Sequence, residues 1–154
     1  MLFRRYAAVF LMSMVPVAEL RASIPAGFAM GLNPILVVLL SIVGNLLPVP
    51  FVMLFIRRIL NWLKTKPGIF CRFALWLERK ARKGAKKFYK YELLGLTLLV
   101  AIPLPGTGAW TGALVAAMLN LRLKTSVPAI GFGVCIAAAI VTALSFGVST
   151  VLGT

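Results

Sequence analysis

Histidine and acidic residues are almost missing from this chain. It contains no histidine and three acidic residues, Glu19, Glu78 and Glu92, against 17 lysines and arginines. Histidine is the commonest general base and metal ligand in proteins, so its absence argues against most enzymes and metal proteins. The two cysteines, Cys71 and Cys135, lie in a basic and an apolar segment and predict neither a disulfide nor a metal site. We therefore expect no enzymatic activity, no metal and no cofactor.

Charge of either sign is scarce as well. The chain is 13% charged and 61% apolar, whereas soluble domains are about 25% charged and 45–50% apolar. The runs 22–56, 93–121 and 125–154 contain no charged residue. A helix needs about 20 apolar residues to cross a bilayer, and the first run would reach roughly 50 Å as one straight helix. The sequence predicts an all-α integral membrane protein whose first run bends or folds back.

The positive charge is concentrated in one segment. Ten of the 17 basic residues lie between positions 64 and 90. A net charge of +14 commonly indicates nucleic-acid binding, but cations also accumulate in cytoplasmic loops, where anionic lipid attracts them. Apolar and aromatic residues recur at roughly helical spacing within 67–91, which favours an interfacial amphipathic helix over a solvated basic loop. We expect membrane lipid, not nucleic acid, as a partner.

The N-terminus has some features of a signal peptide. Arg4 and Arg5 precede an apolar stretch that ends near Ala18. Pro16 and Glu19 make a poor cleavage context, so we expect this segment to remain in the protein.

The chain reads as a single membrane domain of two halves, 6–62 and 92–152, joined by the basic linker 63–91. Each half begins with an apolar segment interrupted by prolines, near residues 19 and 105, and continues into a longer one. Broken helices at membrane depth must be buried or line a wet cavity, and paired interruptions point to a transporter site. The alternatives are re-entrant segments and proline-kinked spanning helices, and the distribution of basic residues is compatible with either.

Glu19 is the acidic residue that stands out. It lies in the first break between apolar segments, where an ionisable group costs roughly 2.5–3.5 kcal/mol and is a functional hypothesis by default. Arg21 follows two residues later, so both side chains face one cavity if the backbone is extended. If the backbone is helical, they diverge by about 200° and Arg21 needs another partner. The alternative role is a structural ion pair. Pro25 is a further candidate near this break, and Asn45, with Pro48 and Pro50, could bring a polar side chain and a kink toward the same cavity.

The second break is rich in proline, glycine and threonine. A half-helix beginning near Thr107 would direct its N-terminal amides toward the break, where such amides bind anions. The alternative is a tight packing turn of small residues. The candidate binding residues here are Pro103, Pro105, Gly106, Thr107, Gly108, Trp110 and Thr111.

Three motifs together resemble the putative small multi-drug export protein family. They are Glu19-Leu20-Arg21 with Ile24-Pro25, then 44–51 (GNLLPVPF), then 103–112 (PLPGTGAWTG). That family looks distantly related to the DedA-like membrane protein superfamily. The resemblance implies two opposed re-entrant hairpins, each paired with spanning helices, and ion-coupled transport of lipids or small molecules. The wider superfamily usually carries acids in both re-entrant regions, whereas the second break here has no charged residue.

We expect a small secondary transporter of the inner (plasma) membrane of a bacterial-type cell, possessing several spans and acting as a homodimer. Glu19 would bind a proton or a cationic group, and Arg21 with the 107–110 turn would hold an anionic or polar group. One alternative is a phospholipid or polyprenyl-phosphate translocase without ion coupling. Others are a non-transporting organising or assembly factor and a dimeric exporter of the small multidrug-resistance type.

Overall fold

The structure of the chain, a computed structural model, describes residues 2–65, 68–104 and 107–152, and these form seven helices joined by short turns. No strand occurs in these ranges, which confirms the all-α prediction. The helices are α1 (Leu2–Met14), α2 (Glu19–Ala29), α3 (Pro34–Leu46), α4 (Pro48–Lys64), α5 (Ile69–Ala101), α6 (Ala109–Met118) and α7 (Leu123–Leu152).

Local sequence explains where α3 and α4 begin. The Asn33 side chain accepts a hydrogen bond from the backbone N–H of Ile35 at 3.0 Å, and Pro34 occupies the first helical position, which suits a residue without an N–H. Pro48 cannot continue the hydrogen-bond ladder of α3, so α3 ends, although Leu47 keeps helical backbone angles. The region Pro34–Lys64 is therefore one helical run with an interruption at Leu47.

The first two helices form an antiparallel hairpin. The Arg5 guanidinium donates to the carbonyl oxygen of Met30 at 3.3 Å. The Asn33 backbone N–H donates to the Tyr6 hydroxyl at 3.3 Å. The start of α1 therefore lies beside the end of α2, and the four-residue connection between them, 15–18, is the turn of the hairpin.

The second half follows the same path. The Thr97 hydroxyl of α5 lies 3.0 Å from the carbonyl oxygen of Ala129 in α7, and Gly133, one turn further along α7, packs against Thr97 and Val100. The end of α5 and the start of α7 thus run in the same direction. The short helix α6, about 15 Å long, must return the chain between them.

Equivalent residues of the two halves are always separated by the same number of positions along the chain. In each half a residue in the left-handed region ends the short helix, with φ 69° at Gly31 and 55° at Asn120. The following amide bonds back to the helix, Leu32 to Gly27 at 3.2 Å and Leu121 to Ala116 at 2.9 Å. A close-packed glycine of each long helix keeps the same separation. The matched pairs are Gly27 and Ala116, Gly31 and Asn120, Leu32 and Leu121, and Gly44 and Gly133.

The halves also pack against each other reciprocally. The short helix α2 contacts α7 of the second half, and the short helix α6 contacts α4 of the first. Leu20, Ile24, Met53 and Ile130 are among the residues of the shared apolar core.

The outer surfaces of the long helices are apolar. Pro34–Lys64 and Leu123–Gly147 are long and apolar enough to cross a membrane. On α7, Phe132, Ile136, Ile140 and Leu144 recur every four residues and are exposed, Phe132 by 70%. Water would oppose such a face, whereas lipid solvates it. The chain is a membrane protein, as its composition predicted.

The linker differs in one respect from the expectation. The apolar segment 93–101 does not begin a separate helix, because α5 is continuous from Ile69 to Ala101. The basic segment therefore leads directly into the second half. Pro67 and the side chains of Glu78, Glu92 and all of 80–90 lie outside the described residues, so the interfacial location of this segment stays a prediction.

Candidate functional site

The two breaks lie against each other. The indole Nε1–H of Trp110, in α6, donates to the carbonyl oxygen of Met14, the last residue of α1, at 3.0 Å. Arg21 and Glu19 reach from α2 to the segment between α5 and α6. The candidate residues Glu19, Arg21, Thr107, Gly108 and Trp110, separated by about half of the sequence, are brought together in one site.

Glu19 is buried, and its carboxylate lies at the N-terminus of α6. Its side chain is 5% exposed, and Oε1 accepts a long hydrogen bond of 3.5 Å from the backbone N–H of Trp110. The residue before α6, Gly108, supplies no side-chain cap. A carboxylate at the positive end of a helix dipole is stabilised. Glu19 thus acts as the N-terminal cap of a helix in the other half.

Gly108 makes that approach possible. A Cβ atom at this position would lie 1.9 Å from Oε2 of Glu19 and 2.5 Å from its carboxyl carbon. Any side chain at Gly108 would therefore displace the carboxylate. Glu19 itself has φ 47°, a left-handed conformation that costs a non-glycine residue roughly 1–2 kcal/mol. Such strain clusters at functional sites.

Arg21 binds the other end of the second break. One guanidinium nitrogen, Nη2, donates to the carbonyl oxygen of Ile102 at 3.0 Å and to the hydroxyl of Thr107 at 3.0 Å. The other, Nη1, donates to the carbonyl oxygen of Leu104. Ile102 is the C-terminal cap of α5, so the cation lies at the negative end of that helix. The Thr107 hydroxyl lies 2.8 and 2.9 Å from the same two carbonyl oxygens.

Glu19 and Arg21 both belong to α2. Of the extended and helical backbones considered for this pair, the structure therefore has the helical one. Arg21 has the separate partners that this arrangement requires. Within the described part of the chain, no N–O distance of 4.0 Å or less joins the two side chains. We call the set of contacts made by Glu19, Arg21 and Trp110 across the halves the latch.

The latch is nearly reciprocal under the internal repeat. The separation that relates Gly31 to Asn120 also relates Arg21 to Trp110 and Glu19 to Gly108. Arg21 donates to carbonyls at the end of α5, and Trp110 donates to the carbonyl at the end of α1. The halves differ at Glu19, whose carboxylate occupies the space left by the missing side chain at Gly108.

The remaining candidates lie at the margin of the latch or outside it. Asn45 is 1% exposed, and neither Nδ2 nor Oδ1 has a hydrogen-bond partner among the described residues. Pro25 is exposed within α2, Pro103 is half-buried after α5, and Thr111 is half-buried in the first turn of α6. Pro105 and Gly106 lie outside the described residues.

Several contributors to the site were not expected from the sequence. The carbonyl oxygens of Met14, Ile102 and Leu104 are main-chain atoms, so the residue types at these positions do not indicate their involvement. The hydroxyls of Ser23 and Ser41, 2.7 Å apart and both buried, join α2 to α3 one turn below Glu19. Two small polar residues in apolar helices were the only available signal for this pair.

The fold and the site define an α-helical membrane protein in which two broken helical segments are joined through charged and polar side chains. The family model described as "putative small multi-drug export protein" matches residues 19–140. The chain belongs to that family, as the three motifs predicted. No curated protein and no solved structure matches the chain.

Proposed function

We propose that the protein is a secondary transporter in which a proton on Glu19 opens the latch between the two halves. The observation that carries the proposal is the position of Glu19, a buried carboxylate of one half that caps a helix of the other. When ionised, it holds the α6 N-terminus through a charge-assisted hydrogen bond. When protonated, it loses the interaction between its charge and the helix dipole, so the two halves can move apart.

Movement at this contact would create the substrate site. Once Glu19 withdraws, the N-terminal amides of α6 are free to bind an anionic or polar group. Arg21 exchanges a neutral carbonyl for an anion readily, because its guanidinium forms stronger bonds with charged acceptors. Proton uptake and substrate binding are then coupled through one set of side chains.

Helix lengths support a re-entrant arrangement of the broken segments. The helices α1, α2 and α6 are about 20, 16 and 15 Å long, against about 30 Å of hydrocarbon. None of the three can span alone, and α1 and α2 form a hairpin. We propose that two such hairpins meet and hold the latch near the middle of the bilayer, the arrangement that the resemblance to DedA-like proteins implies. Localisation in an inner membrane and assembly as a homodimer belong to the same proposal.

A second candidate is a phospholipid or polyprenyl-phosphate translocase without ion coupling. Arg21 and the α6 amides favour a phosphate group as the bound moiety, because both are groups that bind phosphate in proteins. This alternative requires Arg21 and not the charge of Glu19. The non-transporting alternative requires neither.

Flux in proteoliposomes distinguishes the three. We would measure proton flux with a panel of lipophilic cations and phosphate-bearing lipids, for the unsubstituted protein, Glu19→Gln and Arg21→Met. Glu78→Gln in the linker is the control for loss of one acid. The proposal predicts that substrate-dependent flux is lost in Glu19→Gln and kept in Glu78→Gln, with both variants folded. Full flux in Glu19→Gln contradicts proton coupling. Lipid transport that is lost in Arg21→Met and kept in Glu19→Gln favours the uncoupled translocase.

A further inference from the structure

We infer that Asn45 is a second hydrogen-bond partner of Glu19, whose side-chain oxygen accepts a hydrogen bond from the neutral carboxyl group when the latch is open. The inference rests on the proposed function, since it requires Glu19 to bind a proton. It gives Glu19 a hydrogen-bond partner within its own half once its carboxyl group has left the α6 N-terminus.

The register between α2 and α3 places the two residues opposite each other. These helices are antiparallel, and their contacts recur every four residues. A Cβ at Gly27 would lie 2.5 Å from Val37, and one turn further on, the hydroxyls of Ser23 and Ser41 lie 2.7 Å apart. Because residues four apart share a helix face, the next step pairs Glu19 with Asn45.

The buried side-chain amide of Asn45 is available as a new hydrogen-bond partner. It is 1% exposed, and both atoms of its amide lack a hydrogen bond among the described residues. A buried polar group left without a hydrogen bond is destabilising, and each such group in a native structure calls for an explanation. An amide that is vacant while Glu19 binds α6, and occupied after Glu19 withdraws, explains the burial.

The internal repeat shows that packing does not require this amide. The residues equivalent to Ser41 and Asn45 in α7 are Ile130 and Val134, both completely buried. Gly112, the equivalent of Ser23, packs against Ile130. The same interface in the second half is thus apolar, and the polar column belongs only to the half that contains the carboxylate.

The acceptor oxygen of the amide suits the neutral state of Glu19. A protonated carboxyl group carries an O–H that can donate to the Asn45 Oδ1, whereas a carboxylate only accepts, and in the structure Glu19 accepts from the backbone N–H of Trp110. The charged and hydrogen-bonding groups that interact with Glu19 among the described residues are Arg21 on its own helix and the backbone N–H of Trp110 on α6. Of these only Arg21 is charged.

Fluorescence of Trp110 reports the state of the latch directly, because its indole and its backbone amide both belong to it. Trp62 and Trp76 are 59% and 53% exposed and are replaced by phenylalanine to leave Trp110 as the single emitter. The emission of the purified full-length protein in lipid nanodiscs is then titrated between about pH 4 and pH 9, a range that covers raised carboxyl titrations. Glu19→Gln identifies the transition that belongs to Glu19.

Asn45→Val and Asn45→Thr form the matched pair. Valine removes the hydrogen-bonding group and reproduces the residue at the equivalent position of α7, so folding is expected. Without an acceptor the protonated form of Glu19 is less stable, and the midpoint of the transition should fall by about one pH unit, a tenfold change in proton affinity. Threonine has nearly the same shape and keeps an acceptor oxygen, so its midpoint should stay near the unsubstituted value. Ser145→Ala, whose hydroxyl donates to the Val141 carbonyl within α7, should leave the midpoint unchanged.

The outcomes separate the inference from the proposed function. A transition that disappears in Glu19→Gln but keeps its midpoint in Asn45→Val overturns the role of Asn45 and leaves the proton on Glu19 intact. Equal shifts in the valine and threonine variants also overturn it, because the change would then be one of packing. The absence of any transition in the unsubstituted protein overturns both.

Discussion

Gly108→Ala tests whether the carboxylate of Glu19 caps α6. The added Cβ would lie 1.9 Å from Oε2 and 2.6 Å from Oε1. The backbone at Gly108 is extended, with φ 165°, so alanine fits the main chain and the collision alone causes the effect. The buried carboxylate must move away from the Trp110 amide, because the added atom is fixed to the backbone.

The expected loss follows from that hydrogen bond. A hydrogen bond to a charged group contributes about 1.5–3 kcal/mol, and the 3.5 Å distance places this one at the lower end. Replacing glycine by alanine returns about 0.4–1 kcal/mol by restricting the unfolded chain. We expect Gly108→Ala to lower the free energy of unfolding by about 0.5–1 kcal/mol.

Equilibrium unfolding in mixed detergent micelles, followed by circular dichroism, measures this difference. Gly95→Ala is the matched control, since a Cβ there meets nothing within 4 Å and alanine favours a helix by about 0.8–1.0 kcal/mol. In a Glu19→Ala background the substitution at Gly108 should cost nearly nothing, because the colliding group is gone. If it costs the same with and without the Glu19 side chain, the coupling is absent and the capping argument is refuted.

The remaining predictions concern the other contacts of the latch and of its support. Arg21→Lys should reduce transport and lower the free energy of unfolding by about 1–2 kcal/mol, because one ammonium group cannot reach all the acceptors that the guanidinium contacts. Thermal unfolding and flux measurements check this, and a lysine variant with unchanged transport and stability would contradict it. Gly44→Ala should separate α1 from α3, because its Cβ would lie 2.0 Å from the Ser13 hydroxyl and 2.8 Å from the backbone oxygen of Phe10. Ser13→Ala should restore only part of the stability, since the backbone atom remains; unfolding of the single and double variants measures the difference.

Much of the fold was readable from the sequence because proline and apolar length carry it. Helix α6 begins at Ala109, close to the start expected near Thr107, and the breaks fall where prolines interrupt apolar runs. The continuity of α5 was not predicted, since charge marks a boundary between environments and not the end of a helix. Helix formers such as Lys and Arg continue a helix across that boundary.

The site was predictable at its side chains and not at its geometry. Glu19 and Arg21 attract notice because ionisable residues are rare in apolar segments. Their partners are a backbone amide and backbone carbonyls at helix ends, and such atoms leave no mark on composition. At the α6 N-terminus, where the sequence predicted that backbone amides would bind an anion, the structure has the carboxylate of Glu19 of the same chain.

The internal repeat accounts for the presence of a single acid at the two breaks. Superfamily resemblance leads one to expect acids in both breaks, yet the position equivalent to Glu19 is Gly108, and its missing side chain is what lets Glu19 approach. A second carboxylate at Gly108 would collide with the first and repel it. One acid therefore serves both halves, acting as a cap for α6 when ionised. Gly108→Glu, which would give both breaks an acid, should disrupt the contacts of Glu19 and not provide a second equivalent carboxylate.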